Sequence, residues 1–355
     1  MTVEKINLTH MSPINGNSTF LMVSSRHGGD QMTTGDKQAA TPRRRVLAAA
    51  ALAPVLAGAG PASARAMPDG ALVKPLTTTA SDWAAVAKAL GRSGNLLRGT
   101  TYHTPFPRDD LRVVVEGNIV ITPELALGAH VAFVRYADGS TMCMGDVAVT
   151  ERELQRVIDT WQANGIAQTA LHKHLPAHRP DIWWVHVHGH GHDELALAHG
   201  LRAGFERTGI PPATPSGPPS PVDLDIAGIE TALGAEGSSD GVVYKAVFAR
   251  SETICDGHLV LPSGLGATSA FIFQPLGNGR AALSGDCVML AEEVQNVLGA
   301  LRRGRIDLVE LHNHHLTESP RLFFTHFWAV GDAVELAKAL RPAVDATNVV
   351  PTSGV

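Results

Sequence analysis

Residues 145–186 read GDVAVTERELQRVIDTWQANGIAQTALHKHLPAHRPDIWWVH, and residues 285–326 read GDCVMLAEEVQNVLGALRRGRIDLVELHNHHLTESPRLFFTH. Set one above the other they align without a gap, and eleven of the 42 positions are identical. His172, His174, Pro180 and His186 fall on His312, His314, Pro320 and His326. Working outward at the same spacing, Gly117 falls on Gly257 and Phe133 on Phe273. With a small drift in register, Tyr102 falls on Tyr244 and Phe106-x-Arg108 on Phe248-x-Arg250. One structural unit is therefore written twice. The reading places a first repeat domain at 81–208, a proline-rich linker at 209–222 and a second repeat domain at 223–345.

Each copy has the same pattern of elements. Apolar residues at helical spacing open it, over 81–90 and again over 223–233. Alternating segments at 111–116, 119–121 and 131–136 predict strands. Asp138-Gly139 and Asn278-Gly279 mark hairpin turns. Thr150 followed by Glu153 is a capping box, and Leu154, Val157, Ile158 and Trp161 form a helical stripe behind it. Further strands lead into the histidines, and a helix closes the copy. Strands and helices mixed with hairpins predict an α+β fold, two homologous tandem domains each with an antiparallel or mixed sheet and helices.

Composition narrows the function. The chain has 355 residues and a formal net charge of −5, so no basic footprint for nucleic acid exists. Three cysteines, Cys143, Cys255 and Cys287, cannot make a disulfide framework. The unusual figure is 17 histidines, twelve of which lie in 172–199 and 312–326. Near the start, Arg43-Arg44 precede an apolar run at 46–59, and Ala-x-Ala exits end at Ala64 and Ala66. That is the plan of a twin-arginine export signal, so 1–66 is expected to be an extension plus signal, with the mature chain starting near Met67. Fourteen apolar residues reach about 21 Å as a helix, too short for a stable membrane span.

The histidines carry the chemistry. On a strand, residues two apart share a face, so His172/His174 and His312/His314 are expected as paired imidazoles. His186 and His326 would complete each triad from a neighbouring strand. Three neutral imidazoles suit a divalent transition metal, zinc foremost, in one pocket per repeat. Glu153 and Glu293, with Asp146 and Asp286, recur in register as a further ligand, an orienting carboxylate or a general base. Gly145-Asp146 and Gly285-Asp286 read as turns or bulges. Arg108 and Arg250 read as ion-pair partners, or as contacts for an anionic substrate. His188, His190 and His192 have no histidine counterparts and read as a flexible, metal-scavenging loop. The same residues suit a metal-dependent hydrolase, or a metal-free module binding a cell-wall polymer or a small polar ligand.

The doubled pattern of Phe-x-Arg, Gly-Asp, Leu-His-x-His, Pro180/Pro320, His186/His326 and, in the second copy, Gly331-Asp332 resembles the LppY/LpqO family of bacterial exported proteins. The match runs over roughly 81–346 and is closer in the second copy, since Lys173 stands where Asn313 does. The resemblance implies two copies of a domain of unknown function in an exported cell-envelope protein, sometimes described as peptidoglycan-binding. It implies no established reaction.

Overall fold

The computed structural model describes residues 71–213, 221–240 and 242–352. The expected export signal and the centre of the proline-rich linker lie outside them. None of the described helices is long and apolar enough to cross a membrane.

The first repeat contributes strands β1 (Asn95–Leu97), β2 (Thr101–Pro107), β3 (Val114–Val115), β4 (Ile119–Val120) and β5 (Gly128–Arg135). It continues with β6 (Thr141–Thr150), β7 (Ala167–His172), β8 (His178–Arg179) and β9 (Ile182–Gly191). Its helices are α1 (Ala84–Leu90), α2 (Glu151–Ala163) and α3 (Glu194–Phe205). The main sheet runs β1-β2-β5-β6-β9-β7, antiparallel throughout.

The second repeat begins with α4 (Ile226–Leu233), then β10 (Ser238–Asp240), β11 (Val243–Arg250), β12 (Cys255–Asp256) and β13 (Leu259–Val260). The hairpin β14 (Thr268–Gly277) and β15 (Arg280–Met289) follows, then α5 (Val294–Arg303) and β16 (Asp307–His312). Last come β17 (Glu318–Ser319), β18 (Phe323–Asp332), α6 (Ala333–Asp345) and β19 (Val349–Pro351). Its sheet repeats the first order, β10-β11-β14-β15-β18-β16, with β19 added against β11. Small three-stranded sheets, β4-β3-β8 and β13-β12-β17, also correspond. The fold is α+β in two similar tandem domains, as the repeat predicts.

Local signals act where expected. Gly139 and the pair Asn278-Gly279 adopt positive φ and turn the two central hairpins. Thr150 N donates to Glu153 Oε2 at 2.8 Å, and α2 starts at once. In the second copy Leu290 lacks the hydroxyl that Thr150 brings, and α5 starts three positions later in register.

Strand β6 is buried along nearly its whole length, on both faces. Phe133, Cys143, Val147 and Val185 point toward the helices, packing with Trp83, Val157, Trp161 and Leu201. Ala132, Val134, Met142 and Met144 point the other way and pack on Leu259, Leu265, Val288 and Phe324 of the second repeat. A further joint core brings Val113, Ala148 and Trp184 onto Val243, Ala282 and Trp328. The layers are helix, sheet, sheet, helix. Hydrogen bonds cross the seam: Thr122 N donates to Gln274 Oε1 at 2.8 Å, and Gln274 Nε2 donates to Val120 O at 2.9 Å.

Two sequence expectations change. Gly145 and Gly285 lie inside β6 and β15, not in turns. A Cβ at Gly145 would stand 2.5 Å from His130 O, and one at Gly285 would collide with Ala270 O. The glycines let neighbouring strands approach closely. His188 and His190 are strand residues of β9, not a flexible loop. His188 Nε2 lies 3.5 Å from Asp256 Oδ2 of the other repeat.

Candidate metal centre

A matched irregularity delivers the histidines. Strand β7 pairs with β9 as Ala167↔His188 and Gln168↔Val187, then slips one residue to Ala170↔His186 and His172↔Trp184. Strand β16 slips at the same place against β18, ending with His312↔Phe324. Side chains alternate between faces, so one inserted residue reverses the face of everything after it. His172 and His312 thereby turn to the inner face, while Leu171 and Leu311 turn outward and are 48% and 49% exposed. The strands end at His172 and His312, so His174 and His314 lie just beyond them rather than on them.

The inner faces meet, and the two triads become one cluster. His172 Nε2 lies 3.2 Å from His326 Nε2 of the other repeat and 3.1 Å from His174 Nε2. His312 Nε2 and His314 Nε2 are 3.1 Å apart. Rings stack across the seam in pairs: His172 on His312 at 3.6 Å, His174 on His326 at 3.8 Å and His186 on His314 at 4.1 Å. Two donor groups, His172/His312/His314/His326 and His172/His174/His186, each have ligand atoms within 4.8 Å of one another and could hold a metal ion. His172 belongs to both. The expectation of a separate pocket in each repeat gives way to a shared centre, because the faces that carry the triads are the ones the repeats bury against each other.

Two aromatic residues complete it. Trp184 stacks on His174 at 4.4 Å, and Phe324 on His314 at 3.5 Å. They occupy equivalent positions, two residues before His186 and His326. That spacing was visible in the sequence, but an aromatic at a strand position reads equally well as core.

The donor set fits a cation. An imidazole-to-imidazole hydrogen bond needs one donor and one acceptor nitrogen, and His172 Nε2 faces two other Nε2 atoms at once. Among the described residues, His172 Nδ1, His186 Nε2, His312 Nδ1 and Asp146 Oδ1 are buried without a hydrogen-bond partner. A tetrahedral ion with nitrogen ligands at 2.0–2.1 Å separates them by roughly 3.3 Å, close to the spacings found here. Burial, followed by the charge of His312, depresses His172, and burial brings His312 down to about 4. His174, His186, His314 and His326 are held well below their ordinary value by burial first and by one another second. All six are thus neutral near pH 7, the form that ligates metal.

Asp146 and Asp286 line the cluster. Asp146 Oδ2 is 3.2 Å from His174 Nε2, and Asp146 Oδ1 is 3.7 Å from His186 Nε2. Asp286 Oδ2 is 3.8 Å from His314 Nε2. Burial and then the Asp286 charge raise Asp146, while burial brings Asp286 up to about 7.

Glu153 and Glu293 are elsewhere. Glu153 Oε2 accepts from buried Arg108 Nη1 at 2.9 Å and Glu153 Oε1 from Gly209 N at 2.8 Å. Glu293 Oε2 accepts from Arg250 Nη1 at 2.5 Å and Glu293 Oε1 from Asn348 N at 3.0 Å. None of their hydrogen bonds reaches a histidine among the described residues. They clamp helix starts to the sheet, and the recurrence of Phe-x-Arg with Glu153/Glu293 is the signature of that clamp. Not every histidine belongs to the centre either. His178 Nε2 accepts from Ile182 N at 3.0 Å, as Glu318 Oε1 accepts from Leu322 N at 2.9 Å in the other copy.

Comparison with known proteins adds a family and little else. No curated protein matches the chain. The crystal structure of a trimeric bacterial microcompartment shell protein, PduB, is similar over 71% of this chain and 92% of its own. The identity is 13% and the TM-score 0.18, too slight a likeness to bear on fold or function. A family pattern does match, twice, over residues 84–207 and 227–346. With more than half of its length so matched in two copies, the chain belongs to the family described as Domain of Unknown Function (DUF1259).

Proposed function

We propose that this is an exported cell-envelope protein whose two repeats jointly hold divalent transition metal, zinc foremost, in a centre of six histidines. The observation that carries the reading is the convergence of His172, His174 and His326 Nε2 atoms at 3.1–3.2 Å across the seam between the repeats. Such an array of neutral nitrogen donors has poor internal hydrogen bonding and good ligand geometry. Bound metal would supply Lewis acidity and acidify a coordinated water. The chain's own contribution is rigid placement: Trp184 and Phe324 fix the rings of His174 and His314, and Gly266 O lies 3.3 Å from His314 Nδ1. Asp146 and Asp286, not Glu153 and Glu293, are the carboxylates placed to ligate, orient or exchange a proton. Export rests on the twin-arginine pattern at residues 41–66, and a cell-wall polymer or small polar molecule is the ligand class that location favours.

Metal analysis of the mature, untagged chain from Met67 tests this. Stoichiometric metal is expected, lost in His312→Ala/His314→Ala. His172→Ala is expected to lower the metal associated with both donor groups, because His172 belongs to each. Replacing His188, His190 and His192 should leave the content unchanged. A folded wild-type chain that takes up no metal overturns the reading.

A further inference from the structure

The two repeats agree closely around the histidine centre except along one flank. On the inner face of the first sheet, His103 on β2 and His130 on β5 stack with ring centroids 4.9 Å apart. By register and repeat alignment their counterparts are Lys245 on β11 and Ala270 on β14. The doubled unit thus places two imidazoles on one side of the seam and an ammonium on the other.

Lys245 is paired directly with Ile272, and Ile272 packs on the core shared by the two sheets, so Lys245 faces the seam as His103 does. Among the described residues it has no carboxylate within the 4.0 Å of an ion pair, so it is not spent on neutralising Asp286. The ring nitrogens of His103 and His130 make no hydrogen bond among the described residues. Neither are they among the sealed, partnerless atoms, so they keep some access to solvent. His130 is directly paired with Asp146 across β5 and β6, and Asp146 with His186 across β6 and β9. The flank therefore adjoins the centre. Burial, then Lys245, brings His103 down to about 4. Both imidazoles are neutral near pH 7, offering N–H donors beside one fixed ammonium.

We propose that His103, His130 and Lys245 form an oxyanion subsite that holds the carboxylate or phosphoryl group of a ligand against the histidine centre. One positive charge and two N–H donors match a single oxyanion. A transition metal is disfavoured there by the neighbouring ammonium. The position beside the centre rests on the metal reading above; the anion site itself does not.

The test uses the full mature chain in chelator-treated and metal-loaded forms. Inorganic phosphate and acetate are titrated separately, followed by imidazole NMR signals assigned through His103→Gln and His130→Gln. Saturable shifts of those signals are expected, at least tenfold weaker in Lys245→Met. Surface Lys88→Met should leave them unchanged. Response to phosphate alone assigns a phosphoryl group, and response to acetate alone a carboxylate. Equal affinity in Lys245→Met, or no saturable response to either anion in both forms, overturns the subsite. Metal content is measured on the same samples. Anion binding without metal uptake would sink the metal reading and leave the subsite standing, and the reverse result would do the opposite.

Discussion

Arg108 shows how residue chemistry separates structure from function here. Its side chain is fully buried and holds Asp110 at 2.8 Å as well as Glu153; Arg250 holds Glu252 and Glu293 in the same way. A buried guanidinium is tolerated only while its donors are satisfied. Glu153→Gln removes one charge from a pair excluded from water and weakens the hold on the start of α2. Chemical denaturation should show a loss of about 2–3 kcal/mol, with metal content per folded chain unchanged. Loss of metal at unchanged stability would return Glu153 to the site. The sequence marked Glu153 because it recurs. Recurrence reflects any role both copies share, a helix clamp included, so it could not distinguish a ligand from a cap.

At the scale of elements, the decisive devices are the close-packed hairpins and the slipped edge strands. Gly145 and Gly285 lie directly beneath a neighbouring strand's carbonyl, where backbone rather than a flexible side chain must give way. Gly285→Ala is expected to cost about 1–3 kcal/mol and to lower the thermal midpoint by several degrees. It should also weaken metal binding, because Asp286 follows on the same strand. A variant as stable as wild type would show that β14 and β15 can separate freely. Strands β3, β4, β5, β7 and β9, the hairpin turns and the helix after Thr150 were legible from alternation, Asp-Gly and Asn-Gly pairs and capping residues. The bulges before His172 and His312 were not. An inserted residue leaves the composition of a strand unchanged, and nothing local distinguishes Leu171 inward from His172 inward.

At the scale of the molecule, the second repeat is the other wall of the first repeat's site. Met142 and Met144 pack on Leu265 and Phe324, and Trp184 shares a core with Trp328. Residues 221–352 expressed alone would expose Trp328, Leu322 and Phe324. They are expected to self-associate or aggregate in sedimentation experiments and to hold less metal per repeat than the intact chain. A monomeric half carrying its full complement would contradict a shared centre. The sequence by itself determined that one α+β unit is repeated, where α2 begins, and that six histidines recur in two equivalent sets. These follow from periodicity, capping and self-comparison, all short-range or internal to the chain. Only the tertiary structure decided that the sets merge, that Asp146 and Asp286 rather than Glu153 and Glu293 attend them, and that His103, His130 and Lys245 flank them. Those facts depend on strand register, set between strands of one repeat such as β7 and β9, and on which sheet faces are buried together, set by contacts between residues more than a hundred positions apart such as His172 and His326.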